Sequence, residues 1–207
     1  MLILLILSII FLGLAIKSLF GENLGSRFDP YFFIMLAISG ALAFLPIKHL
    51  LFERKLGNAA AELIGAEHVS VNCQSTFESL YSLGRAGFVR LSTMVIHMET
   101  RTCEDLKDYL KNPAKANARE LFALHVLSHE AMHVKGELNE IKTDCMAFQR
   151  NHTLAKILGV PEGIANLNGI SIHRYRSSRH PYYSRECEPG GPYDENLPGA
   201  VWTNSKS

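Results

Sequence analysis

Two apolar runs near the N-terminus set the first limit on what this chain can fold into. Residues 2–20, LILLILSIIFLGLAIKSLF, are apolar apart from Ser8, Lys17 and Ser18. As a helix, such a run is long enough to span the hydrocarbon core of a bilayer. Residues 31–47, YFFIMLAISGALAFLPI, form a second run that His49-Leu50-Leu51 extends, with Pro46 near its end, where a helix tolerates it. Only the short stretch GENLGSRFDP separates the two. Residues 1–52 therefore read as a transmembrane hairpin with spans of about 2–20 and 31–51, integral to the cell membrane. Ala37, Ser39, Ala41 and Ala43 supply small residues at helical spacing for close helix contact. A cleaved signal peptide is the rival for the first run; it lacks the basic leading segment and the small-residue cleavage site such a peptide carries.

Charge and cysteine usage disagree about orientation. Lys48, Arg54 and Lys55 follow the second run, whereas the loop between the runs has Arg27 against Glu22 and Asp29. The positive-inside rule then places both termini, and everything after residue 52, in the cytoplasm. Cys73, Cys103, Cys145 and Cys187 all follow the hairpin and form no CxxC pair. They are free thiols or two disulfides in any of three connectivities, and disulfides favour the opposite side of the membrane. The charges favour a cytoplasmic domain. A formal net charge of +1 gives no electrostatic reason to look for a nucleic-acid partner.

Residues 53–207 are long enough for one globular domain with a real core. ERKLGNAAAELIGAEH reads as an amphipathic linker helix. Alternating segments predict short strands at 68–73, 87–92 and 94–99. Helical patterns follow at 103–110, then from the Asn112-Pro113 start to Lys135, where Gly136 supplies the stop. Its segment LFALHVL is apolar on nearly every face, so this helix is expected to be buried all round. Asn139 caps the next helix, EIKTDCMAFQRNHTLAKIL, and Gly159 closes it. The short connection forces the two helices into an antiparallel pair. A last helix is expected at 161–175, followed by an irregular Pro- and Gly-rich tail wrapped on the domain. The fold class is α+β.

The chemistry sits in the sequence His129-Glu130-Ala131-Met132-His133. Histidines four positions apart lie about 40° from each other around a helix and one turn along it, so both rings can reach one metal ion. Glu130 can lean over the same site and take a proton from water activated there, which is the HExxH arrangement. A third protein ligand is needed, and Glu140, in the first turn of the following helix, is the best candidate. Asp144, four residues on, can accept the free ring N–H of a liganding histidine, and it is also the reserve ligand, ahead of Glu137. His125 shares the histidine face one turn earlier and reads as a packed or supporting side chain more readily than as a ligand. His97 and His152 read as surface or core histidines, and Cys145 as packed or disulfide-bonded.

His129–His133 followed by Glu140-Ile-Lys-Thr-Asp144 resembles the HExxH plus ExxxD pattern of the gluzincins, zinc metallopeptidases of the thermolysin-like clan. The block LSHEAMHVKG, NE and DCMAFQ, with YYSREC and GG later, is also similar to small bacterial membrane-anchored or secreted proteins. The resemblance implies a small zincin-like domain with zinc on His129, His133 and Glu140, Glu130 as general base, Asp144 behind a histidine, and a peptide or protein substrate. It also suggests the strand VIHME as an edge strand that holds an extended peptide. One departure is clear: only six residues separate His133 from Glu140, fewer than gluzincins place between the two helices. Tyr182, Tyr183, His173 and Arg179 in the C-terminal region are available to steady an oxyanion, and the tail is expected to act as a lid. Two other readings are a zinc that only ties helices together and a degenerate site in a sensor or assembly component.

Overall fold

The structure, a computed structural model, describes residues 2–19, 30–79, 84–90, 92–177, 185–198 and 200. It separates into two compact units, Met1–Phe52 and Glu53–Ser207.

The first unit holds helix α1 (Leu2–Leu19) and the beginning of α2 (Pro30–Ile64). Ser8 and Ser39 are buried in a unit whose large side chains, among them Ile3, Ile9, Phe33, Phe44 and Leu45, are exposed. The Ser8 hydroxyl donates to the Ser39 carbonyl at 3.0 Å, and the Ser39 hydroxyl returns a bond to the Ser8 carbonyl at 2.9 Å. Polar groups turned inwards and aliphatic groups turned outwards suit a hydrocarbon solvent, since in water the burial preference is the reverse. By length and composition α2 can cross a membrane, whereas α1 is apolar but shorter. The unit boundary falls inside α2, so the expected separate linker helix does not exist: ERKLGNAAAELI continues the same helix. No proline follows Pro46 before Gly65, and the helix runs through Gly57-Asn58 on the strength of the good helix formers around them, Leu56 and Ala59–Ala61 among them.

The second unit is mostly helical around a small sheet. Strand β1 (Ser70–Cys73) leads through the short α3 (Thr76–Ser79) to β2 (Gly87–Arg90) and β3 (Val95–Met98). The sheet order is β1-β3-β2, with β1 parallel and β2 antiparallel to β3. VIHM is therefore the central strand, and the edge role expected for it falls to β2. The sequence cue was correct in kind, since Ile96 and Met98 alternate inwards and are fully buried. Alternation, however, reports which face is buried and not which neighbour a strand pairs with.

Helices α4 (Thr100–Lys111), α5 (Ala118–Val134), α6 (Glu140–Ile157) and α7 (Glu162–Ser177) complete the domain. α5 is the central rod, packed against α4, α6, α7, β2 and β3. It starts later than the Asn112-Pro113 signal suggests, because Pro113–Lys115 form a separate 3-10 turn. The real cap is Asn117, whose side chain accepts from the Arg119 and Glu120 amides while Glu120 accepts from the Asn117 amide. Two reciprocal bonds outweigh a proline that merely permits a helix start. Gly136, at φ +107°, ends the helix. Asn139 then opens α6 by accepting from the Lys142 amide.

All four cysteines are paired. Cys73–Cys103 joins the end of β1 to α4 and Cys145–Cys187 joins α6 to the tail, with Cα separations of 5.9 and 5.2 Å. The tail is held further by Gln149, which donates to the Tyr193 carbonyl at 2.9 Å and accepts from the Glu195 amide at 2.8 Å, and by an Arg150–Glu195 ion pair.

Candidate metal centre

α5 is buried on almost every side, and the face of it that carries Phe122, Val126, His129, Glu130 and His133 reaches a cleft. The cleft measures about 760 Å³ and is walled by residues 84–89, by α5 and by the α5–α6 connection. His129, Glu130, His133, Glu140 and Asp144 all line it. The antiparallel α5–α6 pair returns the chain at Glu140 to the level of the two histidines, so the six-residue gap suffices.

Three donor atoms converge there. His129 Nε2 lies 3.1 Å from His133 Nε2 and 3.1 Å from Glu140 Oε2, and His133 Nε2 lies 3.5 Å from the same oxygen. Ligand atoms in a tetrahedral zinc shell stand about 3.3 Å apart, which follows from zinc–ligand bonds of about 2.0–2.1 Å. The triangle fits that spacing. The opposite ring nitrogens explain why these atoms face each other. His133 Nδ1 donates to the Glu137 carbonyl at 2.7 Å, and His129 Nδ1 faces Asp144 Oδ1 at 3.3 Å. With each proton on Nδ1, both Nε2 atoms carry lone pairs directed at one another. Two lone pairs repel; a cation between them and the Glu140 carboxylate resolves the arrangement.

Behind His129 runs a sealed chain of polar groups. His125 Nε2 donates to Asp144 Oδ1 at 2.8 Å, and His125 Nδ1 accepts from the Asn151 amide at 3.0 Å. Asn151, His125 and Asp144 are each at most 1% exposed. His125, His129 and Asp144 thus form a second cluster of metal-capable side chains. Its contacts are ordinary donor–acceptor pairs, whereas the outer cluster, with both histidines neutral and protonated on Nδ1, opposes acceptor to acceptor. His125 supports Asp144, Asp144 supports His129, and Glu140 completes the outer triangle.

Glu130 is nearly buried, and burial raises its carboxyl pKa to about 7, with His129 and Arg85 pulling it down and Glu140 pushing it up. A carboxyl at that value exchanges protons readily near neutral pH. For His129, burial opposes protonation, but the Asp144 hydrogen bond and the charges of Glu130, Asp144 and Glu140 prevail and raise its pKa.

No family model, curated protein or solved structure matches the chain. What the site can do therefore rests on its own geometry.

Other candidate residues lie elsewhere. Glu137 turns its carboxylate to Lys142 at 2.6 Å and to the Asn139 amide at 3.0 Å, away from the ligand triangle. His97 stacks on Phe88, and His152 is buried beside Thr153. Cys145 is committed to its disulfide. His173 packs edge-on against Phe148 inside the domain, where burial lowers its pKa to about 4, and it does not line the cleft. Tyr182, Tyr183 and Arg179 lie outside the described residues, and among the described residues no part of the tail lines the cleft. Two cleft residues, Arg85 and Gly87, carried no weight in the sequence reading. A glycine at the first position of a strand, where close backbone approach is common, was the available signal for the second.

Proposed function

We propose that this chain is a zinc-dependent peptidase anchored in the membrane by two helices, α1 and α2. The observation that carries the reading is the His129, His133 and Glu140 donor triangle opening on a cleft, with a near-neutral buried carboxyl, Glu130, beside it. His129, His133 and Glu140 would hold the metal, and zinc held there acidifies water and polarises a carbonyl group. Glu130 accepts the proton of the attacking water and delivers it to the leaving amine. Arg85, a cationic residue of the cleft wall, offers N–H donors to the carbonyl oxygen as negative charge gathers on it. Asp144 keeps the His129 ring in one tautomer and orientation. An extended peptide fits the free edge of β2, which borders the cleft. The zincin-like character of the domain and the peptide nature of the substrate rest on the HExxH and ExxxD resemblance. Openness of the cleft on the ligand side favours a working site over a zinc that only ties helices.

The paired cysteines revise the expected orientation. Two disulfides in one domain belong to an oxidising compartment, so the domain is proposed to face away from the cytoplasm, against the Lys48, Arg54 and Lys55 signal. The charge signal there amounts to three residues, and disulfide formation is the stronger constraint.

The test uses the full chain in detergent micelles loaded with zinc. Wild type is expected to cleave labelled casein, and Glu130→Gln to retain its zinc while losing turnover by about 10²-fold or more. Undiminished turnover in Glu130→Gln would overturn the reading.

A further inference from the structure

A carboxyl that serves as a base must be aimed, and the usual device is a hydrogen bond to one of its oxygens. Glu130 does not use it. The influences on its carboxyl are burial and the charges of His129, Glu140 and Arg85, and no hydrogen bond holds it among the described residues. Something else must hold it.

The first residue of β2 fills that role. Gly87 faces α5 at the Val126–Glu130 step, and a Cβ built on it would stand 2.7 Å from Val126 Cγ1, 3.2 Å from Glu130 Cγ and 3.3 Å from Glu130 Oε1. The backbone here is not in the left-handed region, so glycine is not needed for its conformation; the requirement comes from the missing side chain. The strand backbone is therefore the wall against which the Glu130 side chain rests. Gly87 itself is fixed, because β2 pairs with β3 in register Gly87↔Met98 and Met98 is fully buried.

We infer that Gly87 is a positioning residue for Glu130: the bare backbone at the start of β2 holds the base carboxyl against the metal side of the cleft. The inference rests on the functional reading given above for Glu130. A Cβ at position 87 crowds that carboxyl, and the three atoms nearest to it belong to Val126 and Glu130, none of them to His129, His133 or Glu140. The nearest clash, with Val126, is a matter of packing alone, and it can be relieved separately by shortening Val126. What remains after that relief is the contact with Glu130.

The experiment compares wild type, Val126→Ala, Gly87→Ala, Gly87→Ala/Val126→Ala and Glu130→Gln as full-length, zinc-loaded proteins in detergent micelles. Zinc content and Tm are measured first, then the affinity for acetohydroxamate by calorimetry, then casein cleavage. Acetohydroxamate binds zinc and offers an acidic hydroxyl to a neighbouring carboxylate, so its affinity reports where Glu130 points without any turnover. Val126→Ala sets the packing baseline. The double variant is expected to keep its zinc and the Tm of Val126→Ala, yet to bind acetohydroxamate about tenfold or more weakly, as Glu130→Gln does. If Gly87→Ala alone fails to fold, the double variant still decides. Wild-type-like affinity in the double variant would overturn the inference, as would a zinc-loaded wild type with no affinity for the probe. A double variant that loses zinc or fails to fold would overturn it too, since Gly87 would then be a packing residue. The expected affinities without casein cleavage in wild type would leave Gly87 as the aiming wall and remove the peptidase reading.

Discussion

Two clusters of metal-capable side chains share His129 and differ in how they treat a lone pair. The inner one, His125, His129 and Asp144, lies on the core side of the ring, and two of its three residues are sealed from solvent. Its histidine N–H groups face a carboxylate oxygen, and Asn151 closes the far end. The outer one, His129, His133 and Glu140, opens on the cleft, with Glu140 51% exposed on its side chain. There, with both rings neutral and protonated on Nδ1, the acceptor atoms face one another. Residue type alone cannot separate the two, because both offer imidazole and carboxylate at similar spacing. The difference is the hydrogen-bond account: in the inner cluster the ring nitrogens meet complementary partners, and in the outer one, with both Nδ1 atoms protonated, lone pairs converge.

The widest gap between the clusters should appear on deleting one histidine from each. His133→Ala is expected to take the zinc content of the full chain from one per chain to none, while the metal-free protein unfolds at nearly the wild-type denaturant midpoint. His125→Ala is expected to do the reverse in emphasis. It leaves the buried Asp144 carboxylate without its closest partner, which costs about 3–5 kcal/mol in the metal-free protein. Zinc affinity then falls only about 10–100-fold, because Asp144 loosens behind His129. Chelator competition and denaturant unfolding measure the two quantities. Complete zinc loss in His125→Ala with unchanged stability would mean that the metal belongs to the inner cluster.

Much of this contrast was legible in the sequence, and the limit has a physical origin. The four-residue spacing of His129 and His133, and the glycine stop at Gly136, are local features, so sequence could place both rings on one helical face and Glu140 just beyond it. The inner cluster was half visible: Asp144 was placed behind a histidine, and His125 was read as support. Asn151 was not, because its contact with His125 spans α5 and α6 at a level that only their packed register fixes. Gly87, which opens a strand whose place in the sheet cannot be read from alternation, and Arg85, two residues before it, are further still. The strands themselves fell at the expected positions, yet their order did not follow. Cysteine pairing shows the same boundary. Four residues allow three connectivities, and only the fold selects Cys73–Cys103 and Cys145–Cys187.

A smaller effect should mark the cleft side through pH. Burial raises the Glu130 carboxyl from an ordinary value of 4.5 to about 7. In the unfolded chain it releases its proton near the lower value; in the folded, metal-free chain it holds that proton until the higher one. The folded state then carries more protons across this window, so stability falls as pH rises through it, and the loss is complete above about pH 7. The separation corresponds to about 3 kcal/mol. In Glu130→Gln this part of the slope should vanish. Denaturant unfolding of the metal-stripped protein at a series of pH values measures it, and an unchanged slope in the variant would mean that Glu130 is better solvated than its position indicates.

The smallest expected effect separates the contribution of the helix pair from that of the side chains it carries. Both clusters depend on α5 and α6 lying at one spacing, and Ser128, next to the shared His129 on α5, bridges the helices by donating to the Ala147 carbonyl at 3.3 Å. The residue is fully buried, and the bond is long for a hydroxyl donor. Ser128→Ala should therefore cost only about 0.5–1 kcal/mol in denaturant unfolding. Zinc affinity by chelator competition should stay within about twofold of wild type, since the ligand and support side chains all remain and the helices stay packed by their apolar faces. A large fall in affinity with so small a loss of stability would place the origin of the outer triangle in the helix spacing. The contrast between the two clusters would then be a property of the α5–α6 register, and the partners behind each ring would follow from it.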